Sequence, residues 1–147
     1  MQFHLPDRPA GRERVIREMV NHDEQGNDRA RDRPRILIVD DEPAIVELLV
    51  LLFEDEGYDV WCAYDGEQGL RVAKQVHPDL VISDVSMPRL TGLDLLHGLR
   101  ANGTRETPVI LMSAVVREVP ANQCLFVPKP FDLDCILSLA RAQLAAR

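Results

Sequence analysis

The sequence lacks the features that mark membrane, secreted and disulfide-stabilised proteins. Its longest apolar stretch, residues 44–53, is interrupted by Glu47 and is far shorter than the roughly 20 residues that a membrane-spanning helix needs. The N-terminal residues contain no apolar segment typical of a signal peptide, so we predict a cytoplasmic protein. The three cysteines, Cys62, Cys124 and Cys135, form no C-x-x-C pair. This pattern indicates buried free thiols rather than a zinc site or a disulfide framework.

Positive charge is also in short supply. The 147 residues include 17 Lys and Arg against 24 Asp and Glu, which gives a net charge of −7. Residues 1–34 are balanced, with 7 Arg and 7 acidic residues, so the whole excess lies in residues 35–147. Such an acidic body argues against non-specific binding of nucleic acid. The length and the 46% hydrophobic fraction predict one globular domain with a tail.

The first 34 residues are interpreted as a flexible N-terminal tail. They contain a mixed-charge run, HDEQGNDRARDR, that cannot bury enough surface to offset its ordering entropy. Within the tail, residues 12–21 place Val15, Ile16, Met19 and Val20 at helical spacing. Two interpretations stay open. The segment is either a short amphipathic helix that docks on another surface or a frayed helix, since isolated helices of this length are marginal in water.

From Arg35 onward, strand and helix patterns alternate. The predicted strands are residues 35–40 (RILIVD), 58–63 (YDVWCA), 79–84 (DLVISD), 107–113 (TPVILMS) and 123–128 (QCLFVP). Helices are predicted over residues 43–56, from the cap Asp65 to before Pro78, over 92–101, and from the cap Asp132 onward. Alternation at this spacing builds βαβ units, so we predict an α/β fold with a parallel sheet between two helical layers.

The apolar spacing within the helices predicts which side chains face the sheet. These are Ile45, Leu48, Leu49, Leu52 and Phe53 in the first helix, Leu95, Leu96 and Leu99 in the third, and Leu133, Ile136, Leu137, Ala140 and Leu144 in the last. The first helix carries additional apolar residues at positions 46, 50 and 51. They indicate either a wide buried stripe or a surface that receives a partner or the tail.

Polar side chains follow the strands at the edge where parallel strands bind ligands. They are Asp40, Asp41 and Glu42 after the first strand, Asp84 after the third, Ser113 after the fourth and Lys129 after the fifth. Crowded carboxylates either keep protons or recruit a cation, and oxygen ligands suit Mg²⁺. Together with an ammonium and a hydroxyl they predict a phosphoryl-transfer site, in which a carboxylate can itself be the nucleophile. The alternative for Asp40 or Asp41 alone is a cap for the helix that Pro43 begins.

Five stretches then carry a family resemblance. ILIVDDEPAIVELL, CAYDGEQGL, PDLVISDVSMPRLTGLDLL, TPVILMSA and LFVPKPF occur in this order and cover residues 35–147. With them, the chain resembles the receiver domain of bacterial two-component response regulators, in a stand-alone form. The resemblance implies a flavodoxin-like, doubly wound, five-stranded parallel sheet of strand order 2-1-3-4-5. It also implies a phosphoryl donor, either a sensor histidine kinase or a histidine phosphotransfer protein, and a requirement for Mg²⁺ or Mn²⁺.

The resemblance also assigns the metal and phosphoryl positions. Asp84 resembles the phosphoacceptor. Asp41 is expected to bind Mg²⁺ directly and Asp40 mainly through water, while Ser86 is expected to offer its backbone carbonyl.

A second group of positions resembles the family's switch. Ser113 takes the place of the switch hydroxyl, Lys129 that of the phosphate-binding lysine, and Phe126 that of the switch aromatic. The Lys129–Pro130 peptide resembles one that is cis in the family. Because Phe126 has no hydroxyl, any switch here is expected to work by packing.

The chain departs from the family pattern between the fourth and fifth strands. Only 13 positions separate Ser113 from Phe126, and Pro120 lies in this interval, where it would break a helix. We therefore expect a shortened fourth helix and at most a weak homodimer. The sequence contains no DNA-binding motif, so output is expected through a downstream protein target, without direct contact to nucleic acid or insertion into a membrane.

Two other functions stay open beside that of a phosphorylatable receiver whose only chemistry is self-catalysed phosphoryl transfer and autodephosphorylation. One is a pseudo-receiver, a scaffold that phosphorylation does not regulate. The other is a Mg²⁺-dependent phosphohydrolase, but the related enzymes use a second Asp two residues after the nucleophile, where this chain has Ser86.

Overall fold

The computed structural model describes residues 33–101, 106–114 and 125–146. Its elements are β1 (Arg35–Val39), α1 (Pro43–Asp55), β2 (Asp59–Ala63), α2 (Gly66–Val76), β3 (Leu80–Asp84), α3 (Gly92–Ala101), β4 (Val109–Ser113), β5 (Leu125–Pro128) and α4 (Leu133–Ala145). The helical segment predicted over residues 12–21, the shortened helix expected between the fourth and fifth strands, and Cys124 lie outside these ranges.

The five strands form one parallel sheet of order β2-β1-β3-β4-β5. This confirms the predicted α/β fold and its strand order. At the centre of the sheet, Leu37 of β1 pairs with Trp61 of β2 on one side and with Val81 of β3 on the other. Every residue of β2, β3 and β4 is buried, because helices cover both faces of a parallel sheet.

The helices divide between the two faces of the sheet. The step from β1 to β2 and the step from β2 to β3 run in opposite directions, so right-handed crossovers place α1 and α2 on opposite faces. Gly69 of α2 packs on Val39, where an added Cβ would lie 2.9 Å from a valine methyl group. An ion pair between Arg141 of α4 and Glu56, just after α1, joins the last helix to the first. The result is a three-layer sandwich.

The buried face of α1 differs from the prediction. Its buried residues are Val46, Leu49, Val50 and Phe53. Leu48 and Leu51 are 42% and 56% exposed, and Ile45 and Leu52 are half-buried. Leu49 and Phe53 confirm the predicted stripe, which is wrong for Leu48, and the burial of Val46 and Val50 favours the interpretation of a wide stripe. Apolar residues lie on nearly every side of this helix, so their spacing does not determine its rotation, which packing against the sheet sets instead.

The predictions for the other helices are largely confirmed. Leu95, Leu96 and Leu99 of α3 and Ile136, Leu137 and Ala140 of α4 are buried, whereas Leu133 and Leu144 are half-buried. Cys62 is buried, but Cys135 is exposed, so the prediction of a buried thiol is wrong there. Cys135 precedes the buried Ile136 by one residue, which turns it about 100° away from the sheet.

Capping interactions fix the start of α2 as the sequence predicts. The Asp65 carboxylate accepts a hydrogen bond from the backbone N–H of Gln68 at 2.7 Å, and the Gln68 side chain accepts one from the N–H of Tyr64, also at 2.7 Å. Such reciprocal bonds satisfy N–H groups that a helix start leaves unpaired. Among the described residues, no helix is long and apolar enough to cross a membrane.

Candidate functional site

Three strand ends bring their charged side chains together at the carboxyl edge of the sheet. The Lys129 ammonium nitrogen lies 3.0 Å from Asp40 Oδ2 and 3.5 Å from Asp84 Oδ1. Asp40, Asp84 and Ser113 are buried although they are polar. The residues singled out in the sequence at the ends of β1, β3 and β5 therefore share one site, with Ser113 at the end of the neighbouring β4.

Backbone hydrogen bonds beyond the strands hold these side chains in place. The N–H of Asp40 donates to the carbonyl of Ala63 at 3.2 Å, and the N–H of Lys129 donates to the carbonyl of Ser113 at 2.8 Å. These bonds continue the sheet ladder past its formal ends. The backbones of Asp40 and Lys129 are thus held by the same kind of hydrogen bond as the strands.

Asp40 does not cap the following helix. One of its oxygens, Oδ1, accepts a hydrogen bond from the N–H of Glu42 at 2.9 Å, and the other contacts Lys129. The residue at the N-cap position of α1 is Glu42, without a side-chain capping bond, and Pro43 begins the helix. The capping alternative is therefore wrong for Asp40, whose two oxygens are engaged by Glu42 and Lys129.

Burial makes the carboxylates of the site unusually hard to ionise. Burial raises the pKa of Asp40 to about 6, against the lowering effects of the Glu42 N–H and Lys129. It also raises the pKa of Asp84. Burial alone would lower the pKa of Lys129, but the hydrogen bond and charge of Asp40, together with Asp84 and Glu42, outweigh it and raise that pKa. The single positive charge of Lys129 thus faces three carboxylates, Asp40, Glu42 and Asp84, and cannot neutralise all of them.

The acidic side chains have the arrangement that a hard divalent cation requires. Asp40, Asp41 and Asp84 each offer an oxygen, and these atoms lie within 4.8 Å of one another. Asp41 is exposed and opens the group to solvent. All the donors are oxygens, which suits Mg²⁺, a cation that takes one or two carboxylates and keeps several waters. The N–H of Ser86 lies 3.4 Å from Asp84 Oδ1, so the main chain after β3 also borders the group.

The remaining predicted residues, Phe126 and Pro130, belong to β5 and the segment that follows it. Phe126 is half-buried within β5, where it pairs with Leu111 of β4 rather than lying at the edge. The Lys129–Pro130 peptide is cis.

Sequence reasoning missed Gly92, and it placed Glu42 at this edge without giving it a role in the site. Glu42 lies 3.9 Å from the Lys129 ammonium and adds a third acid to it. A Cβ on Gly92 would lie 2.3 Å from the Asp84 carbonyl oxygen, so only glycine fits there. The signal for Gly92 was a glycine at the first position of the helix predicted over residues 92–101.

The fold and the acidic pocket with its lysine define a receiver-type signalling domain. The response regulator receiver domain matches residues 36–141, and this chain belongs to that family. It is a phosphorylatable receiver of two-component signalling. Members of the family interact with histidine kinases and bind Mg²⁺ in an acidic pocket.

Curated relatives are larger proteins. The chain is 41% identical over 106 residues to the regulatory protein AtoC of Escherichia coli, a match that covers 68% of this chain and 23% of AtoC. It is 36% identical over 118 residues to the DNA-binding dual master transcriptional regulator RpaA of Synechocystis, with 76% and 49% covered. The chain therefore spans about half or less of the length of these relatives.

Solved receiver domains match over nearly their whole length. The chemotaxis protein CheY4 of Vibrio cholerae superimposes with a TM-score of 0.67 at 26% identity, covering 75% of this chain and 98% of that one. The receiver domain of the hybrid histidine kinase CckA gives a TM-score of 0.66 at 36% identity, with the same coverage.

Proposed function

We propose that Asp84 accepts a phosphoryl group from a histidine donor while Asp40, Asp41, Asp84 and the backbone carbonyl of Ser86 hold Mg²⁺ or Mn²⁺. The observation that carries the proposal is the pair of buried carboxylates, Asp40 and Asp84, that share one lysine. When bound, the cation neutralises charge on the carboxylates and on the phosphoryl oxygens.

The contacts of the two buried carboxylates favour Asp84 over Asp40 as the nucleophile. Both oxygens of Asp40 have partners within 3.0 Å, and Asp40 is fully buried. The contacts of Asp84 are longer, 3.4 Å to the Ser86 N–H and 3.5 Å to Lys129, and Asp84 is 4% exposed. Asp84 is therefore the carboxylate that an incoming phosphorus atom can reach.

The transfer forms one bond and breaks one. An Asp84 carboxylate oxygen attacks phosphorus in line, and the P–N bond of the phosphohistidine breaks as the imidazole leaves and takes up a proton from solvent. The Lys129 ammonium stabilises charge on the transferred oxygens. The chemistry is self-catalysed, and autodephosphorylation by water reverses the modification, so the domain acts as a signalling module rather than as a turnover enzyme.

Charge then drives the switch. The phosphoryl group adds about 1.5 to 2 negative charges and strong acceptor oxygens. Lys129 and the hydroxyl of Ser113 are drawn toward it, and Phe126 repacks at the neighbouring β5. The modification shifts an equilibrium between two states by its difference in affinity for them.

The exposed face of α1 supports docking of a histidine-bearing partner. Leu48 and Leu51 are 42% and 56% exposed, and the charged residues of this helix, such as Glu47, are all acidic. A partner helix with an apolar stripe between basic residues would complement this face. The sensor histidine kinase or phosphotransfer protein is proposed to dock here, and output is proposed to pass to a downstream protein target.

Intact-mass measurement tests the proposal directly. The full chain is incubated with acetyl phosphate and Mg²⁺ as wild type, as Asp84→Asn, and as Asp79→Asn, a control just before the other end of β3. Wild type and Asp79→Asn should gain the mass of one phosphoryl group, Asp84→Asn should gain none, and EDTA should abolish the gain. An adduct that survives in Asp84→Asn would refute the assignment. No adduct in wild type would favour the pseudo-receiver scaffold.

A further inference from the structure

The loop that joins β3 to α3 is closed on itself. The N–H of Val85 donates to the carbonyl of Met112 at 2.8 Å, and the carbonyl of Val85 accepts from the N–H of Gly92 at 2.9 Å. Inside the loop, the N–H of Leu90 donates to the carbonyl of Pro88 at 2.8 Å. Both ends of the loop are thus fixed to the sheet and to each other.

The middle of this loop rests against the first residue of α2. A Cβ added to Gly66 would lie 2.5 Å from the Leu90 carbonyl oxygen and 2.4 Å from Leu90 Cδ2. The first of these atoms belongs to the backbone and cannot rotate away. The loop therefore occupies this position only because residue 66 has no side chain.

We propose that Gly66 is a positioning residue for the metal site. Because Gly66 has no side chain, the residue 85–91 loop can hold the main chain of Ser86 beside the carboxylate cluster, where its N–H lies 3.4 Å from Asp84 Oδ1. The inference rests on the metal site of the proposed function. Gly66 acts through Leu90, to which the three atoms nearest an added Cβ belong.

The loop has little freedom to absorb a displacement at Leu90. At one end, Gly92 packs against Asp84, where a Cβ would lie 2.3 Å from the carbonyl oxygen. Beside Leu90, Arg89 has a φ of +69°, in the left-handed region that L side chains disfavour. Met87 is buried. A push on Leu90 is therefore passed along the loop toward Ser86.

Apart from its contact with Leu90, the Gly66→Ala change should stabilise the helix rather than destabilise it. Gly66 is the first residue of α2, whose start is already capped by Asp65. Alanine is the better helix former, and alanine lowers the entropy of the unfolded chain. A loss of metal affinity in a folded Gly66→Ala variant would therefore report the contact with Leu90.

Calorimetric titration of the metal-free full chain with Mg²⁺ tests the proposal, with wild type, Gly66→Ala and Gly98→Ala compared. Gly98 is the matched control, because its added Cβ would meet Leu70 methyl groups at 3.1 Å, the flexible ends of a side chain. Gly66→Ala should weaken Mg²⁺ binding about tenfold, as loss of an outer-shell partner does. Gly98→Ala should bind as wild type does.

A kinetic readout separates positioning from general damage. In Gly66→Ala, the Mg²⁺ concentration for half-maximal phosphorylation by acetyl phosphate should rise, while the rate at saturating Mg²⁺ should be retained. If Gly66→Ala does not fold, Leu90→Ala takes its place. It removes the side chain that packs on Gly66, and it should also weaken Mg²⁺ binding.

The outcomes distinguish this inference from the proposed function. If wild type binds Mg²⁺ and folded Gly66→Ala, or Leu90→Ala in its place, binds it equally well, the positioning role is wrong and the metal site stands. If wild type does not bind Mg²⁺, both the positioning role of Gly66 and the proposed metal site are wrong.

Discussion

The two edges of the sheet hold their acidic side chains in opposite ways. At the amino edge, Asp79 accepts a hydrogen bond from the backbone N–H of Arg35 at 2.8 Å, so its carboxylate completes the hydrogen bonding of a strand. At the carboxyl edge, Asp40 and Asp84 crowd around Lys129, and burial raises the pKa of both carboxylates. The acid at the amino edge stabilises the fold, whereas those at the carboxyl edge are ionised at a cost to it.

The contrast predicts opposite signs for the same chemical change. Neutralising a carboxylate should stabilise the metal-free protein at the carboxyl edge and destabilise it at the amino edge. It should change Mg²⁺ binding only at the carboxyl edge.

The largest effect is expected for Asp40→Asn. A pKa raised from 3.8 to about 6 means that ionised Asp40 opposes folding by about 2 to 3 kcal/mol at pH 7.5. The asparagine side chain still offers an oxygen to accept the hydrogen bond from the Glu42 N–H, and Lys129 still has Asp84 as its ion-pair partner. In EDTA, urea unfolding should therefore show the variant to be more stable than wild type by about 2 kcal/mol at pH 7.5.

The pH dependence of this difference follows from the direction of the shift. The folded protein binds the Asp40 proton more tightly than the unfolded chain does, so wild type is favoured below pH 4 and loses that advantage as pH rises through about 6. The increase in the free energy of unfolding caused by Asp40→Asn should therefore be small at pH 4 and should reach a constant value above pH 7. Mg²⁺ at ten times its Kd should stabilise wild type by about 1.4 kcal/mol and the variant by less. If Asp40→Asn is less stable than wild type at pH 7.5, the ionised carboxylate at the carboxyl edge does not oppose folding, and the contrast between the two edges is wrong.

Asp79→Ala should have the opposite sign. It leaves the Arg35 N–H, part-buried in the structure, without its acceptor, which costs about 1 to 2 kcal/mol. Asp79→Asn is the matched control, because its carbonyl oxygen can still accept the bond and its cost should be smaller. Urea unfolding measures both, and calorimetry should find unchanged Mg²⁺ affinity. Weakened Mg²⁺ binding in Asp79→Ala would show that the two edges are coupled.

How far the sequence predicts the molecule depends on how local each feature is. Four of the strands are short apolar runs that end at or just before a polar residue, so a parallel sheet with Asp40, Asp84 and Lys129 at one edge could be predicted from the order of elements. The strand order itself came from the family resemblance. The cap at Asp65 was predictable because its partner, Gln68, is three residues away. These features need only local patterns and the rules of parallel sheets.

The features that could not be predicted depend on packing between distant segments. The rotation of α1, which buries Val46 and exposes Leu48, follows from its fit against the sheet rather than from its apolar spacing. The contact of Gly66 with Leu90 joins residues 24 positions apart. No local pattern specifies such contacts.

The smallest effect is expected for Arg35→Met, a variant that removes a single hydrogen bond at the amino edge. The Arg35 guanidinium donates to the carbonyl of Val76, the last residue of α2, at 2.7 Å. This bond satisfies one of the carbonyls that a helix end leaves unpaired. Methionine keeps most of the apolar stem, so the variant should lose only the hydrogen bond, about 1 kcal/mol. The loss should be the same in EDTA and in saturating Mg²⁺, because the bond lies at the edge opposite the metal site. A loss that changes with Mg²⁺ would mean that α2 transmits the state of the metal site along its length, and the two edges would then have to be treated as one coupled system.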